Sequence, residues 1–273
     1  MKNIKTGFIG GGNMARSLIG GLIASGYPAS AITVSDRDAA QLSAIKQDLQ
    51  VNTTDSNQAV LDGADVIVLA VKPQVMKDVI SQLSAGSVGH KLLVTIAAGI
   101  RTTAISQWLQ TDCAIVRTMP NTPALVRSGA TGMYANPACT ESQRETAESI
   151  LRAVGLTLWV EDEAQLDAIT ALSGSGPAYL FMVMEAMEQA GIQLGLPADT
   201  ARLLAVQTAF GASKLALEIE EDPAVLRQRV TSPGGTTEQA IKVFEENHLI
   251  KLFEQAMTAA RDRATELAEQ LGQ

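Results

Sequence analysis

The stretch GFIGGGNMA, residues 7–15, decides the fold if its three glycines form a phosphate-binding turn. Adjacent glycines also suit any tight connection, so the motif carries weight only between a strand and a helix. That context is present. Ile4 to Ile9 is an apolar run built of strand-forming residues, and Met14, Leu18, Leu22 and Ile23 recur behind the glycines at helical spacing. In such a unit Gly10 permits the tight turn and Gly12 lets the backbone approach a pyrophosphate, while the small Ala15 allows close helix–strand packing. The helix opening at Asn13 and Met14 then turns its free N–H groups toward the anion.

A second short strand, Ile32 to Val34, runs into Ser35-Asp36-Arg37, about twenty residues on, where dinucleotide folds meet the adenosine ribose. An acidic residue there accepts from a ribose 2′-OH, whereas an arginine pairs with a 2′-phosphate. Asp36 therefore favours NAD, and Ser35 with Arg37 favours NADP. Arg37 is equally consistent with a solvated surface charge, so these residues by themselves leave the choice open.

A chain of 273 residues accommodates two domains, and 46% hydrophobic with 4% aromatic residues is a globular composition. The net charge of −8, with no basic cluster to offset it, argues against nucleic acid or an anionic membrane as partner. Cys113 and Cys139 lack CxxC spacing, and His90 and His248 lie in unrelated contexts, so neither a metal site nor a disulfide framework is expected. The longest apolar run, Ala64 to Val71, is interrupted by Asp65 and too short to span a bilayer; no long apolar region precedes the glycines. The expectation is a cytoplasmic protein.

Apolar β-branched runs alternate with helical patterns as far as Glu161: Ile32 to Val34, Val66 to Val71, Leu92 to Ile96, Ala114 to Val116, Gly132 to Tyr134 and Leu156 to Val160 follow the first. This alternation predicts an α/β fold, a Rossmann-like doubly wound sheet over residues 1–161. The remainder, residues 162–273, reads as an all-α domain. Its segment Leu203 to Leu217 is apolar nearly all round, and a helical domain this small has few places to enclose such a helix. A second subunit is expected to cover it. The final helix carries a stripe of Leu249, Leu252, Phe253, Ala256, Met257, Ala260, Ala264, Leu267 and Leu271.

Ligands of doubly wound sheets bind beyond the carboxyl ends of the strands. There stand Ala70-Val71-Lys72-Pro73 and Ala97-Ala98-Gly99, whose small residues admit a flat ring, with Pro73 read as a strand stop and Lys72 as a phosphate contact or a solvated charge. The Asn121 amide, in a loop rich in proline, suits a nicotinamide carboxamide or the capping of its own loop. In the helical half, Ser173-Gly174-Ser175-Gly176-Pro177 joins two helices, and Ser232-Pro233-Gly234-Gly235-Thr236-Thr237 precedes a helix expected near Glu238. The second loop offers N–H groups and hydroxyls to a carboxylate or phosphate, although Thr236 and Gln239 also form a capping-box pattern. No histidine lies in these loops to serve as base for an alcohol. A protonated C=N bond needs only a hydride and a weak nitrogen partner, such as a threonine hydroxyl.

GFIGGGNMA, AVKPQ, IAAGI, RTMPNTPA, LSGSGPAY and VTSPGGTTEQAI, spread from end to end, resemble the pyrroline-5-carboxylate reductase family, and the last two are the most specific. The resemblance implies reduction of the cyclic imine 1-pyrroline-5-carboxylate to L-proline with NADPH, or with NADH to a variable extent. It implies that Thr237 bonds the ring nitrogen, that Ser232 and the backbone of Gly235, Thr236 and Thr237 hold the carboxylate with Glu220 nearby, and that Gly234 and Ser175 also contact the substrate. Asn57 would meet the ribose and its 2′-phosphate. It further implies homodimers interlocked through the helical domain and often gathered into decamers. A 3-hydroxyacid-type dehydrogenase is the enzymatic rival, but GSGPAYLFMVMEAM lacks that group's catalytic lysine. A non-catalytic NADP-binding sensor is the other rival, and it has no need of SPGGTT.

Overall fold

A computed structural model describes residues 4–272. Eight strands form one sheet: β1 Thr6–Ile9, β2 Ile32–Ser35, β3 Asn52–Thr54, β4 Val66–Leu69, β5 Leu92–Thr95, β6 Ala114–Met119, β7 Gly129–Ala135 and β8 Gly155–Trp159. Their spatial order is β3-β2-β1-β4-β5-β6-β7-β8. All neighbours are parallel except β6 and β7. This is the doubly wound arrangement, and the order reverses between β1 and β4, where such sheets open their ligand crevice.

The helices of this part are α1 Asn13–Ala24, α2 Ala39–Leu49, α3 Asn57–Gly63, α4 Pro73–Ser81, the single turn α5 Ala85–Val88, α6 Thr102–Leu109, α7 Glu141–Arg152 and α8 Gln165–Ile169. They cover both faces of the sheet. On one, Phe8, Val34, Val68 and Val94 meet Leu18, Ile19 and Leu22 of α1 and Ile150 and Leu151 of α7. On the other, Ile9, Ile67, Leu69 and Leu93 meet Val60, Met76, Ile80 and Ile105. Burial on both faces is why β1, β4 and β5 read as unbroken apolar runs.

Three local details differ from the sequence expectation. The run expected to reach Val71 leaves the sheet at Leu69, and Pro73 opens α4 as its first residue, where a missing N–H costs nothing. The polar strand β3, Asn-Thr-Thr, carries no apolar signature and exists by pairing with β2. The helix after the Gly234-Gly235 pair begins at Thr236, earlier than Glu238.

Past α8, a π-helical turn Thr170–Gly174 leads to α9 Gly176–Gln193, α10 Ala198–Glu218, α11 Pro223–Arg229, α12 Thr236–Glu246 and α13 Leu249–Leu271. The chain divides into two compact units. One runs to Ser175 and resumes from Ala259, and the other is Gly176–Thr258. Within the second unit only Ala201 and Ala205 of α10 are buried, while Leu203, Leu204, Val206, Phe210, Leu215 and Leu217 are exposed. Among the described residues no helix is long and apolar enough to cross a membrane.

Candidate active site

The glycine turn occupies the reversal point of the sheet. The register aligns Ile9 with Ser35 and with Leu69, so Gly10, Asp36 and Ala70 follow side by side at the carboxyl ends of β1, β2 and β4. Gly10 donates its N–H to the Ser35 carbonyl at 2.8 Å, and the Ala70 N–H returns to Ile9. Gly10 has φ +100°, and a Cβ there would lie 2.6 Å from the Ala70 carbonyl oxygen, so only glycine fits. At Gly12, the N-cap of α1, a Cβ would meet nothing within 4 Å, and no side chain caps the helix. That open cradle above unclaimed N–H groups at Asn13 and Met14 fits a pyrophosphate, and the residues present therefore suit a nicotinamide dinucleotide.

At the ribose end, Ser35 is fully buried and its Oγ donates to Asn57 Oδ1 at 2.7 Å. The Asn57 amide nitrogen is left as a donor. Asp36 Oδ2 accepts from the Gly11 N–H at 2.8 Å and from Gln41 Nε2 at 3.0 Å, and Oδ1 accepts from the Asp38 N–H at 3.0 Å. Arg37 is exposed. The fold thus brings Ser35 to Asn57 and Asp36 to the glycine turn at the carboxyl ends of β1 and β2, with Ala70 beside Gly10. Gln41 carries no motif and was not anticipated.

Further along, Val71 is half-buried and Lys72 exposed at the N-cap of α4. Ala97 and Gly99 are buried, with Ala98 half-buried between them. Gly99 has φ +73°, and a Cβ there would touch Ala268 and Leu267 of α13 at 3.6 Å. Asn121 is held at both ends: Oδ1 accepts from the Ala130 N–H at 2.9 Å, and Nδ2 donates to the Ser173 carbonyl at 3.0 Å. Its amide ties the loop after β6 to the π-helical turn that leads into Ser175, and Met119 Cε closes on Gly174, where a Cβ would lie 2.5 Å away.

A charged cluster forms around Arg117, the first residue of RTMPNTPA, through carboxylates that belong to no motif. The buried Arg117 guanidinium bridges Glu163 Oε1 at 3.3 Å and Asp167 Oδ1 at 3.2 Å. Glu163 also accepts from the Thr102 N–H at 2.8 Å, capping α6 from a distance, and Asp167 Oδ2 accepts from Thr265 of α13 at 3.2 Å. Charged residues that meet only through tertiary folding leave no periodic trace in the chain.

In the helical unit, Gly235 is the N-cap of α12 and no side chain caps that helix. The Thr236–Gln239 capping box is therefore not formed: both threonines lie inside the first turn. The Gly235 N–H donates to the Ser232 carbonyl at 3.0 Å, and the Gly234 N–H is taken by Glu238 Oε2 at 2.8 Å. This inward reach of a carboxylate onto the loop was likewise not anticipated. The first-turn N–H groups of Thr236 and Thr237 have no acceptor within the helix. Gly234 turns the loop at φ +73°, and Ser232, Thr236, Thr237 and Glu220 are exposed.

Residues 163–267 match the family described as pyrroline-5-carboxylate reductase dimerisation, and residues 5–99 match NADP oxidoreductase coenzyme F420-dependent. The pyrroline-5-carboxylate reductase of Pseudomonas aeruginosa is 52% identical over 273 residues, covering 100% of both chains. The structure of a pyrroline-5-carboxylate reductase from Coxiella burnetii superposes with TM-score 0.93 at 50% identity, covering 97% of this chain and 98% of that one. That of the Plasmodium falciparum pyrroline carboxylate reductase with NADP bound gives TM-score 0.86 at 26% identity, over 98% and 99% of the two chains. With a dinucleotide crevice in one unit and a hydroxyl-bearing helix start in the other, the chain belongs to the pyrroline-5-carboxylate reductase family.

Proposed function

We propose that the protein reduces 1-pyrroline-5-carboxylate to L-proline, and that the uncapped start of α12, with two threonine hydroxyls in its first turn, is its substrate anchor. The substrate is a cyclic imine with one carboxylate. The Thr236 and Thr237 N–H groups and the Ser232 hydroxyl hold that carboxylate, helped by the positive end of an 11-residue helix. Gly234 and Gly235 shape the loop, which Glu238 braces through the Gly234 N–H. Glu220 and Ser175 complete the surroundings of the ring. The Thr237 hydroxyl hydrogen-bonds the ring nitrogen and steadies it as the C=N bond becomes a secondary amine.

A nicotinamide cofactor held by Gly10, Gly12, Asn13, Met14, Ala70 to Pro73, Ala97 to Gly99 and Asn121 supplies the hydride when bound. We assign NADPH as the preferred form. The exposed Arg37 and the free Asn57 amide present donors, which suit a 2′-phosphate better than a lone hydroxyl. The working molecule is a homodimer joined through the helical unit, whose exposed apolar side chains support that reading, and decamers built from such dimers are part of the same proposal. Two free thiols agree with a cytoplasmic setting.

The test is turnover by the purified protein with 1-pyrroline-5-carboxylate and NADPH, followed by loss of nicotinamide absorbance. Thr237→Ala should lower kcat/KM by roughly 10- to 10⁴-fold, the range for one transition-state hydrogen bond or proton transfer, and Thr237→Ser should recover most of it. Kinetics unaltered in Thr237→Ala would remove this residue from the mechanism.

A further inference from the structure

An acidic side chain just past the second strand of a dinucleotide fold ordinarily accepts hydrogen bonds from the adenosine ribose, which favours NAD. Asp36 stands there, and three protein N–H groups already donate to it. Gly11 and Gln41 donate to Oδ2 and Asp38 donates to Oδ1, which fills three of the roughly four acceptor positions a carboxylate offers. The Gly11 bond spans 25 residues of sequence and reaches the middle glycine of the turn. The side of Gly11 is closed as well: a Cβ there would lie 2.5 Å from Ile45 Cδ1 and 3.2 Å from Gln41 Nε2. Both of those side chains belong to α2. Asp36, Gln41 and Ile45 therefore form a bracket that holds the glycine turn against the start of that helix.

We infer that Asp36 is a positioning residue that fixes the glycine turn through the Gly11 N–H, and not the acidic residue that selects NAD. Its charge is spent on donors common to both nucleotides, so it supports NADPH and NADH alike. Discrimination at the 2′ position passes to the groups left facing outward, the Arg37 guanidinium and the Asn57 amide. The inference rests on the dinucleotide reading given under Proposed function, and it answers a question that reading leaves open: why an aspartate tolerates a 2′-phosphate nearby.

The experiment is direct titration of the purified protein with NADPH and with NADH by calorimetry, for the wild type, Asp36→Asn and Gln41→Leu, alongside kcat at saturating nucleotide. Losing a hydrogen bond to a charged group should weaken both nucleotides by the same factor, roughly tenfold in Asp36→Asn and less in Gln41→Leu. The ratio of the two Kd values should stay at its wild-type value, and the loss should fall on KM for both nucleotides more than on kcat, as a bond made equally in ground and transition states requires. If Asp36→Asn tightens NADPH while weakening NADH, the carboxylate reads the ribose and the inference fails. It fails too if neither Kd moves. Gln41→Leu keeps the test available should Asp36→Asn not fold. Binding of neither nucleotide by the wild type would instead overturn the dinucleotide reading itself, a result the variants cannot imitate.

Discussion

A single methyl group would be enough to close the nucleotide crevice. Placed on Gly10, it would meet the Ala70 carbonyl in a backbone conformation, φ +100°, that side chains avoid. Gly10→Ala should cost about 1–3 kcal/mol in denaturant unfolding from backbone strain alone, with the contact adding to it, and should abolish NADPH binding in the same titrations. Gly12→Ala, with open space around the added carbon, should keep the stability and lose affinity. At the same scale, burial pushes the Cys113 thiol up to about 11, with Asp112 adding to the shift. At pH 8 about one such thiol in a thousand is ionised, so iodoacetamide should leave Cys113 unlabelled in the native protein and modify it on unfolding. Rapid native labelling would contradict that burial. The glycines were legible because their spacing is local and tied to phosphate chemistry. The partners of Asp36 and Asn121 were not, since the Asn121 bond to Ser173 spans 52 residues and no pattern along the chain encodes it.

Two contacts between elements make opposite kinds of demand on stability. Arg117 lies between two carboxylates with its side chain 3% exposed, and Arg117→Met would take the buried countercharge from both, leaving Glu163 its Thr102 donors and Asp167 only Thr265 and the more distant Arg101. Breaking such a buried arrangement costs about 3–5 kcal/mol, readable as a lower denaturant midpoint, even though the methionine fills similar space. Glu148 of α7 accepts from the Trp159 indole of β8 at 2.9 Å, and this bond holds its carboxyl below the ordinary carboxylate range. A depressed folded value means that the bond stabilises the protein above the unfolded carboxylate value and stops doing so as pH falls through the folded one. Trp159→Phe should therefore flatten the acid limb of Tm against pH while lowering Tm at neutral pH, and an unchanged acid limb would argue against the bond. Elements with a buried apolar face announced themselves in sequence. The edge strand β3 did not, and α12 began earlier than read because a glycine cap leaves no side-chain signature.

At the scale of the molecule, the apolar surface of the helical unit asks for a partner. Leu203 is 68% exposed and Phe210 61%, on a helix whose own chain buries only two alanines. Leu203→Glu with Phe210→Glu should convert the proposed dimer to monomer in light scattering and make the residual Tm independent of concentration. An unchanged mass would place the interface elsewhere. The all-round apolar character of α10 was legible as a need for cover because a lone helix cannot satisfy it. The destination of α13 was not, for periodicity tells which face is buried and is silent on what buries it. Ala264 and Ala268 of that helix are buried, Leu271 packs with the sheet's second core, and Thr265 bonds Asp167. The unit that carries the glycine turn is therefore finished by residues translated after the whole helical unit. A nascent chain cannot complete that packing around Asp167 and Gly99 until residues 264–271 have left the ribosome, so the last step in building this unit waits on synthesis of the other.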